Sequence, residues 1–164
     1  MGEVNLRFNV LSLSDIVSVF KEYKELPNTV VIDGVAKDRH WPSFVGHFLL
    51  SKFTEEELQN AWNQTKKHLP PCELVEARVL KYSTTSHIPA HKDQHEFEES
   101  DLSVIVQLNH PDDYVGGELI VEGHLMELKQ GDMVYYDYNT MHGVHRIKQG
   151  SRYVLNFRCK TVKY

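Results

Sequence analysis

His91-Lys92-Asp93 sets an imidazole and a carboxylate two positions apart. On an extended segment residues i and i+2 point the same way, so both side chains can reach one cation while Lys92 points elsewhere. A bare His-x-Asp triplet is common by chance, and it needs a third ligand from far along the chain. Two histidines and one carboxylate fill one face of an octahedron and leave three positions open. Zinc in a catalytic site accepts the same donors, so the ligands alone do not choose the metal. Ten histidines in 164 residues is a high share, which raises the expectation of a metal site without locating it.

Arg152 is the second feature. It follows a Gln149-Gly150 turn and opens the apolar stretch Tyr153-Val154-Leu155-Asn156-Phe157. The plain reading is a surface arginine on the turn. The alternative is a buried partner for an anion. A buried carboxylate needs a charge partner with good hydrogen-bond geometry, and a guanidinium offers a two-pronged fork for it. A dicarboxylate that chelates a metal through a 2-oxo acid end and buries its other end on Arg152 would use both features at once.

These residues need a scaffold. From Glu73 onward the chain reads as about eight short strands with Gly, Asp and Asn turns and no helix between them, which predicts an antiparallel sandwich or jelly roll. The strands are expected at Leu74–Tyr82, Ser103–Leu108, Glu118–Glu122, His124–Leu128, Met133–Tyr136, Val144–Ile147 and Tyr153–Cys159, among others. Upstream, Ser14–Leu26 has helical spacing, with Ser14 or Asp15 as cap and Pro27 as stop. Thr29–Ile32 reads as a strand. Thr54-Glu55-Glu56-Glu57 is a capping-box pattern opening a helix through Leu58, Ala61, Trp62 and Leu69. The expected fold is mainly β with N-terminal helices (α+β), a single domain over 1–164. Its catalytic β core would cover about 73–160, with 1–72 as helical support packed outside.

The stretch from Leu80 to Phe157 resembles the prolyl 4-hydroxylase-type 2-oxoglutarate oxygenases, and within them the bacterial PKHD-type hydroxylase branch. Tyr82 precedes His91-Lys92-Asp93 by nine residues; Gly116-Gly117-Glu118-Leu119, Gly131-Asp132 and His142-Gly143-Val144 follow in order; Arg152 lies ten residues past His142. The resemblance implies a double-stranded β-helix (jelly roll, cupin-like), with His91, Asp93 and His142 as iron(II) ligands. Arg152 would hold the distal carboxylate of 2-oxoglutarate, and Tyr82 would donate its hydroxyl to it. It further implies O2 as oxidant, ascorbate as an accessory reductant, and hydroxylation of a C–H bond as 2-oxoglutarate becomes succinate and CO2. The substrate would be a prolyl or other peptidyl residue, or an amino acid.

One departure bears on the ligands. Where the family has Pro-Val after the distal histidine, this chain has Arg146-Ile147, and His145 competes with His142. In a plain two-residue hairpin Arg152 would oppose Ile147 and share a face with His145; family spacing selects His142. Two other functions remain open. Arg152 to Arg158 resembles the paired-arginine strand of alkylated-nucleobase demethylases, and a jelly roll also hosts non-catalytic binding modules. A zinc hydrolase on the same ligands would lack a general base and leave Arg152 and Tyr82 unexplained.

The remaining signals are modest. A net charge of −5 gives no pull toward nucleic acid. No run of 18 apolar residues and no basic, then apolar, N-terminal segment occurs, so the chain is expected in the cytoplasm without a membrane partner. Cys72 and Cys159 read as free thiols. His87 and His95 flank the triplet and could touch substrate, whereas His40, His47, His68, His110 and His124 have no partner pattern. Substrate specificity is expected in loops around Asp33–Phe48 and Gln94–Ser100, the latter an acidic loop beside the site. Oligomeric state leaves no mark on the sequence.

Overall fold

Period-two alternation builds the large sheet. In a computed structural model that describes residues 4–23, 29–32 (backbone alone), 48–84, 86–93 and 100–162, the chain runs as follows. It passes through β1 (Val4–Arg7), α1 (Leu13–Glu22), β2 (Thr29–Ile32), β3 (Phe48–Phe53), α2 (Gln59–Lys66), β4 (Cys72–Tyr82), β5 (Ile88–His91) and β6 (Leu102–Gln107). A 3-10 turn at Pro111–Asp113 leads to β7 (Tyr114–Gly116), β8 (Leu119–Val121), β9 (His124–Met126), β10 (Met133–Asp137), β11 (His142–Val144), β12 (Ile147–Gly150) and β13 (Arg152–Thr161). Seven strands join in the order β1-β10-β6-β13-β4-β3-β2, four in the order β5-β11-β8-β9, and β12 pairs with β7. All pairings are antiparallel. This is the expected jelly roll.

The two faces of the large sheet bury different things. Ala77 and Val79 of β4 and Leu155 and Phe157 of β13 point outward, against the buried Ile16 and Val19 of α1 and Ala61 and Trp62 of α2. The rings of Trp62 and Phe157 lie 5.0 Å apart. The helices thus cover the outside, as expected. On the inner face Leu80, Tyr82, Ile105, Val134, Tyr136 and Val154 meet Leu119, Val121, Ile88 and Val144 of the small sheet. The site lies in this inner space.

Several boundaries differ from the sequence expectation. Ser12, not Ser14 or Asp15, caps α1: its hydroxyl accepts from the Asp15 amide and the Asp15 carboxylate accepts from the Ser12 amide. Thr54 and Glu57 do exchange the capping-box bonds, but a turn over 55–58 intervenes before α2, which ends at Lys66 rather than Leu69. The first 72 residues also supply strands: β1 and β2 form the edges of the large sheet and β3 borders β4. Val144–Ile147 is not one strand, because the chain leaves the small sheet at Val144 and rejoins a different pairing at Ile147. Pro27, residues 33–47 of the expected specificity loop, and 94–99 with His95 lie outside the described residues.

Candidate active site

β5 and β11 are neighbours in the small sheet, and His91 stands directly opposite His142. Directly opposed residues share a face, so both imidazoles enter the space between the sheets. The His91 Nδ1 lies 2.9 Å from the Pro89 carbonyl, and the His142 Nδ1 lies 3.0 Å from the Thr140 carbonyl. A carbonyl only accepts, so each Nδ1 carries a proton and each Nε2 points inward; such bonds orient ligating histidines. The two rings lie 4.4 Å apart, and Tyr136 stacks on His142 at 4.7 Å.

Asp93 completes the cluster. It follows β5 by two residues, and its backbone N–H donates to the Tyr138 carbonyl (3.1 Å). Its Oδ1 lies 3.4 Å from the Nε2 of each histidine. Its Oδ2 accepts from Arg158 Nη1 at 2.8 Å. Burial alone would push this carboxyl up; contacts with His142 and His91, and the Arg158 charge, outweigh that and hold it well below the usual carboxylate range. One ligand atom from each of His91, Asp93 and His142 lies within 4.8 Å of the others, and among the described residues no other cluster of this kind occurs. A buried anion flanked by two inward-facing imidazole nitrogens suits a divalent transition metal.

Arg152 and Tyr82 stand opposite each other on β13 and β4, and both are 3% exposed. The guanidinium lies 5.7 Å over the Tyr82 ring. Its Nε donates to Gln107 Oε1 (3.0 Å), while Gln107 donates to the Asn109 carbonyl and the Tyr114 hydroxyl. Gln107 thereby fixes the angle of the fork. Among the described residues Arg152 has no acidic partner. A buried guanidinium without a carboxylate is costly, so its environment suits an anionic ligand. Burial raises the Tyr82 phenol above its ordinary value, against the pull of Arg152, so it stays protonated as a donor.

The triad, Arg152 and Tyr82 line one cavity of about 230 Å³, with Phe48, Leu50, Leu80, Ile88 and Ile105 among its apolar walls. That is below the roughly 300–1,000 Å³ of drug-sized pockets and matches a small acid beside a cation. Arg158, which the sequence offered only as the second arginine of a paired-arginine strand, and Arg78, which it did not single out, also line it. Arg78 Nε donates to Asn156 Oδ1 (2.7 Å), and burial, with the neighbouring Arg158, lowers this guanidinium to about 10. Arg158 is the Asp93 partner. The legible signal was the inward series Arg152, Val154, Asn156, Arg158 along β13: polar residues at alternate positions of a buried strand.

Gly116-Gly117 serves the same region. Both have positive φ (84° and 71°). A Cβ on Gly116 would meet the Arg146 carbonyl oxygen, and one on Gly117 would meet Ile147 and sit 3.6 Å from Arg152 Cδ. His145, by contrast, is exposed, with Nδ1 3.5 Å from Glu118 Oε1. The hairpin parity that favoured it does not hold, because Ile147 pairs with Gly116 and Arg152 with Tyr82.

The cluster and cavity agree with what comparison shows: residues 77–158 match the family model of the 2OG-Fe(II) oxygenase superfamily, to which this chain belongs. A PKHD-type hydroxylase of Rhizorhabdus wittichii is 44% identical over 57 residues, which are 32% of this chain and 25% of that one. A PKHD-type hydroxylase of Parvibaculum lavamentivorans is 32% identical over 120 residues, 66% of this chain and 50% of that one. The chain therefore spans about a quarter to a half of the length of these curated relatives. Among solved structures, a viral collagen prolyl hydroxylase from Paramecium Bursaria Chlorella virus-1 superposes with TM-score 0.70 at 13% identity. That match covers 97% of this chain and 96% of the other, a likeness of fold. No helix of the described residues is long and apolar enough to cross a membrane.

Proposed function

We propose that this protein hydroxylates a C–H bond with iron(II), 2-oxoglutarate and O2, releasing succinate and CO2. The observation that carries the reading is one cavity holding a His91–Asp93–His142 cluster and a buried Arg152 without an acidic partner among the described residues. His91, Asp93 and His142 would hold the metal, and Arg152 with Tyr82 would hold the distal carboxylate of the co-substrate. Iron(II) and 2-oxoglutarate together supply the oxidising chemistry; the protein supplies ligands, orientation and dryness. The Pro89 and Thr140 carbonyls keep both Nε2 atoms free to ligate. Gln107 aims the Arg152 fork, and the Tyr82 phenol donates beside it. Phe48, Leu50 and Ile105 keep water from the space between.

The relatives' names point to a prolyl or other peptidyl residue, or an amino acid, as substrate class. Residues 1–164 act as one unit in this reading, since β1, β2 and β3 extend the sheet that carries Arg152 and Tyr82. The test is a succinate-release assay with iron(II), 2-oxoglutarate and ascorbate (to keep iron ferrous) against peptides, amino acids and methylated single-stranded DNA. Substrate-dependent succinate with a peptide or amino acid is expected. Release only with the DNA would replace this reading with nucleobase demethylation, and no binding of iron(II) or 2-oxoglutarate would reduce the chain to a binding module.

A further inference from the structure

Asp93 offers its two oxygens to different partners. Oδ1 faces the Nε2 of both histidines at 3.4 Å, and Oδ2 is held by Arg158 Nη1 at 2.8 Å. Arg158 is 3% exposed and belongs to the inward series of β13, so the pair sits away from water. The Asp93 backbone is fixed separately by its bond to Tyr138, so Arg158 acts on the carboxylate and not on the loop.

The count of coordination positions gives this pairing a consequence. Two imidazoles and one carboxylate oxygen leave three positions of an octahedron. A chelating 2-oxo acid takes two, and one remains for O2. A carboxylate can also bind a cation through both oxygens. If Asp93 did so, two positions would remain, and the chelate would fill both. We propose that Arg158 is a positioning residue that limits Asp93 to single-oxygen ligation and so keeps the third position open. Resting on the iron-site reading above, this assigns a role to a residue which that reading leaves idle.

The test uses Mn(II) as a redox-silent probe, with 2-oxoglutarate titrated calorimetrically into the Mn(II)-loaded protein and crystal structures of the loaded forms. In the wild type Asp93 is expected to ligate through one oxygen. In Arg158→Met the Mn(II) and 2-oxoglutarate still bind, Asp93 turns to two-oxygen ligation, and the water that the wild-type complex keeps at the third position is lost. Arg158→Lys, which keeps a donor for Oδ2, is expected to restore one-oxygen ligation and that water. Removing one partner of a buried pair can destabilise a protein; Arg158→Ala, which also lacks a donor for Oδ2, carries the same test if the methionine variant does not fold. Two-oxygen ligation in the wild type would overturn the proposal. So would Arg158→Met with Asp93 still on one oxygen, or with the third-position water retained. A wild type that binds neither Mn(II) nor 2-oxoglutarate would overturn the oxygenase reading itself.

Discussion

His142 and His145 have the same chemistry three residues apart, and only surroundings separate them. His142 is buried with its Nδ1 held by a carbonyl and its Nε2 toward Asp93, whereas His145 meets solvent and Glu118. His142→Ala is therefore expected to weaken Mn(II) binding, read by calorimetry, by more than the roughly 10–100-fold typical of outer partners. His145→Ala should leave it unchanged; the reverse order would make His145 the ligand. Asp93 also predicts a pH signature for the metal-free protein. Burial opposes its charge, but His142, His91 and Arg158 win and depress its folded pKa below the ordinary ~3.9 of an unfolded chain. A depressed carboxyl stabilises the fold above the unfolded value and loses that contribution as pH falls toward the folded one. Asp93→Asn leaves Arg158 facing a neutral amide, a change that for buried pairs costs about 3–5 kcal/mol. The gap in melting temperature between wild type and Asp93→Asn should narrow as the pH falls below about 4. A gap that widened below about pH 4 would contradict the assignment.

At the scale of elements, the sequence showed the long, regular pieces and missed the short or interrupted ones. β4 was legible from its alternation, and β6, β10 and β13 from largely apolar, buried runs of five or more residues. β5 was not, since Pro89 interrupts it; proline is tolerated there because β5 is the edge of the small sheet. β1 is a four-residue edge strand, too short for a period to declare itself. Ser12 was missed as a cap because its box closes with Asp15 rather than Glu or Gln. Of the site, His91, Asp93, His142, Tyr82 and Arg152 could be found by type and spacing. Arg158 was legible as one of a pair of arginines on β13 but not as the partner of Asp93, and Gln107 was not, because its role depends on which strand lies beside β13 and register is not written in either strand alone. Gly117 gives a prediction at this scale. Its φ of 71° is unfavourable by roughly 1–2 kcal/mol for an L side chain, and a Cβ would press on Ile147 beside the Arg152 stem. Gly117→Ala should lower the melting temperature by a few degrees. It should weaken 2-oxoglutarate binding more than Mn(II) binding, because the strain falls at the Arg152 end of the cavity. Equal losses of both ligands would place the strain elsewhere.

Across the whole molecule, the cavity joins the two sheets through partners that meet only there. His91 and His142 come from the small sheet, and Arg152, Tyr82 and Arg158 from the large one. A cation bridging the histidines and Asp93, and an acid bridging that cation to Arg152, would tie one sheet to the other and oppose their separation on unfolding. Ligands that bind only the folded state stabilise it by mass action, about 2.7 kcal/mol at 100 times the dissociation constant. For a chain of this length that is roughly 5–10 °C in melting temperature. Mn(II) should therefore raise the melting temperature of the wild type by about that amount, and saturating 2-oxoglutarate should add a second increment only when Mn(II) is present. Arg152→Ala should keep the first increment and lose most of the second, because the chelating end persists and the distal carboxylate loses its partner. Asp93→Ala should lose both, since the chelate depends on the cation. A 2-oxoglutarate increment that survived in Asp93→Ala would show the acid binding through Arg152 alone, and the bridge between the sheets would then not exist.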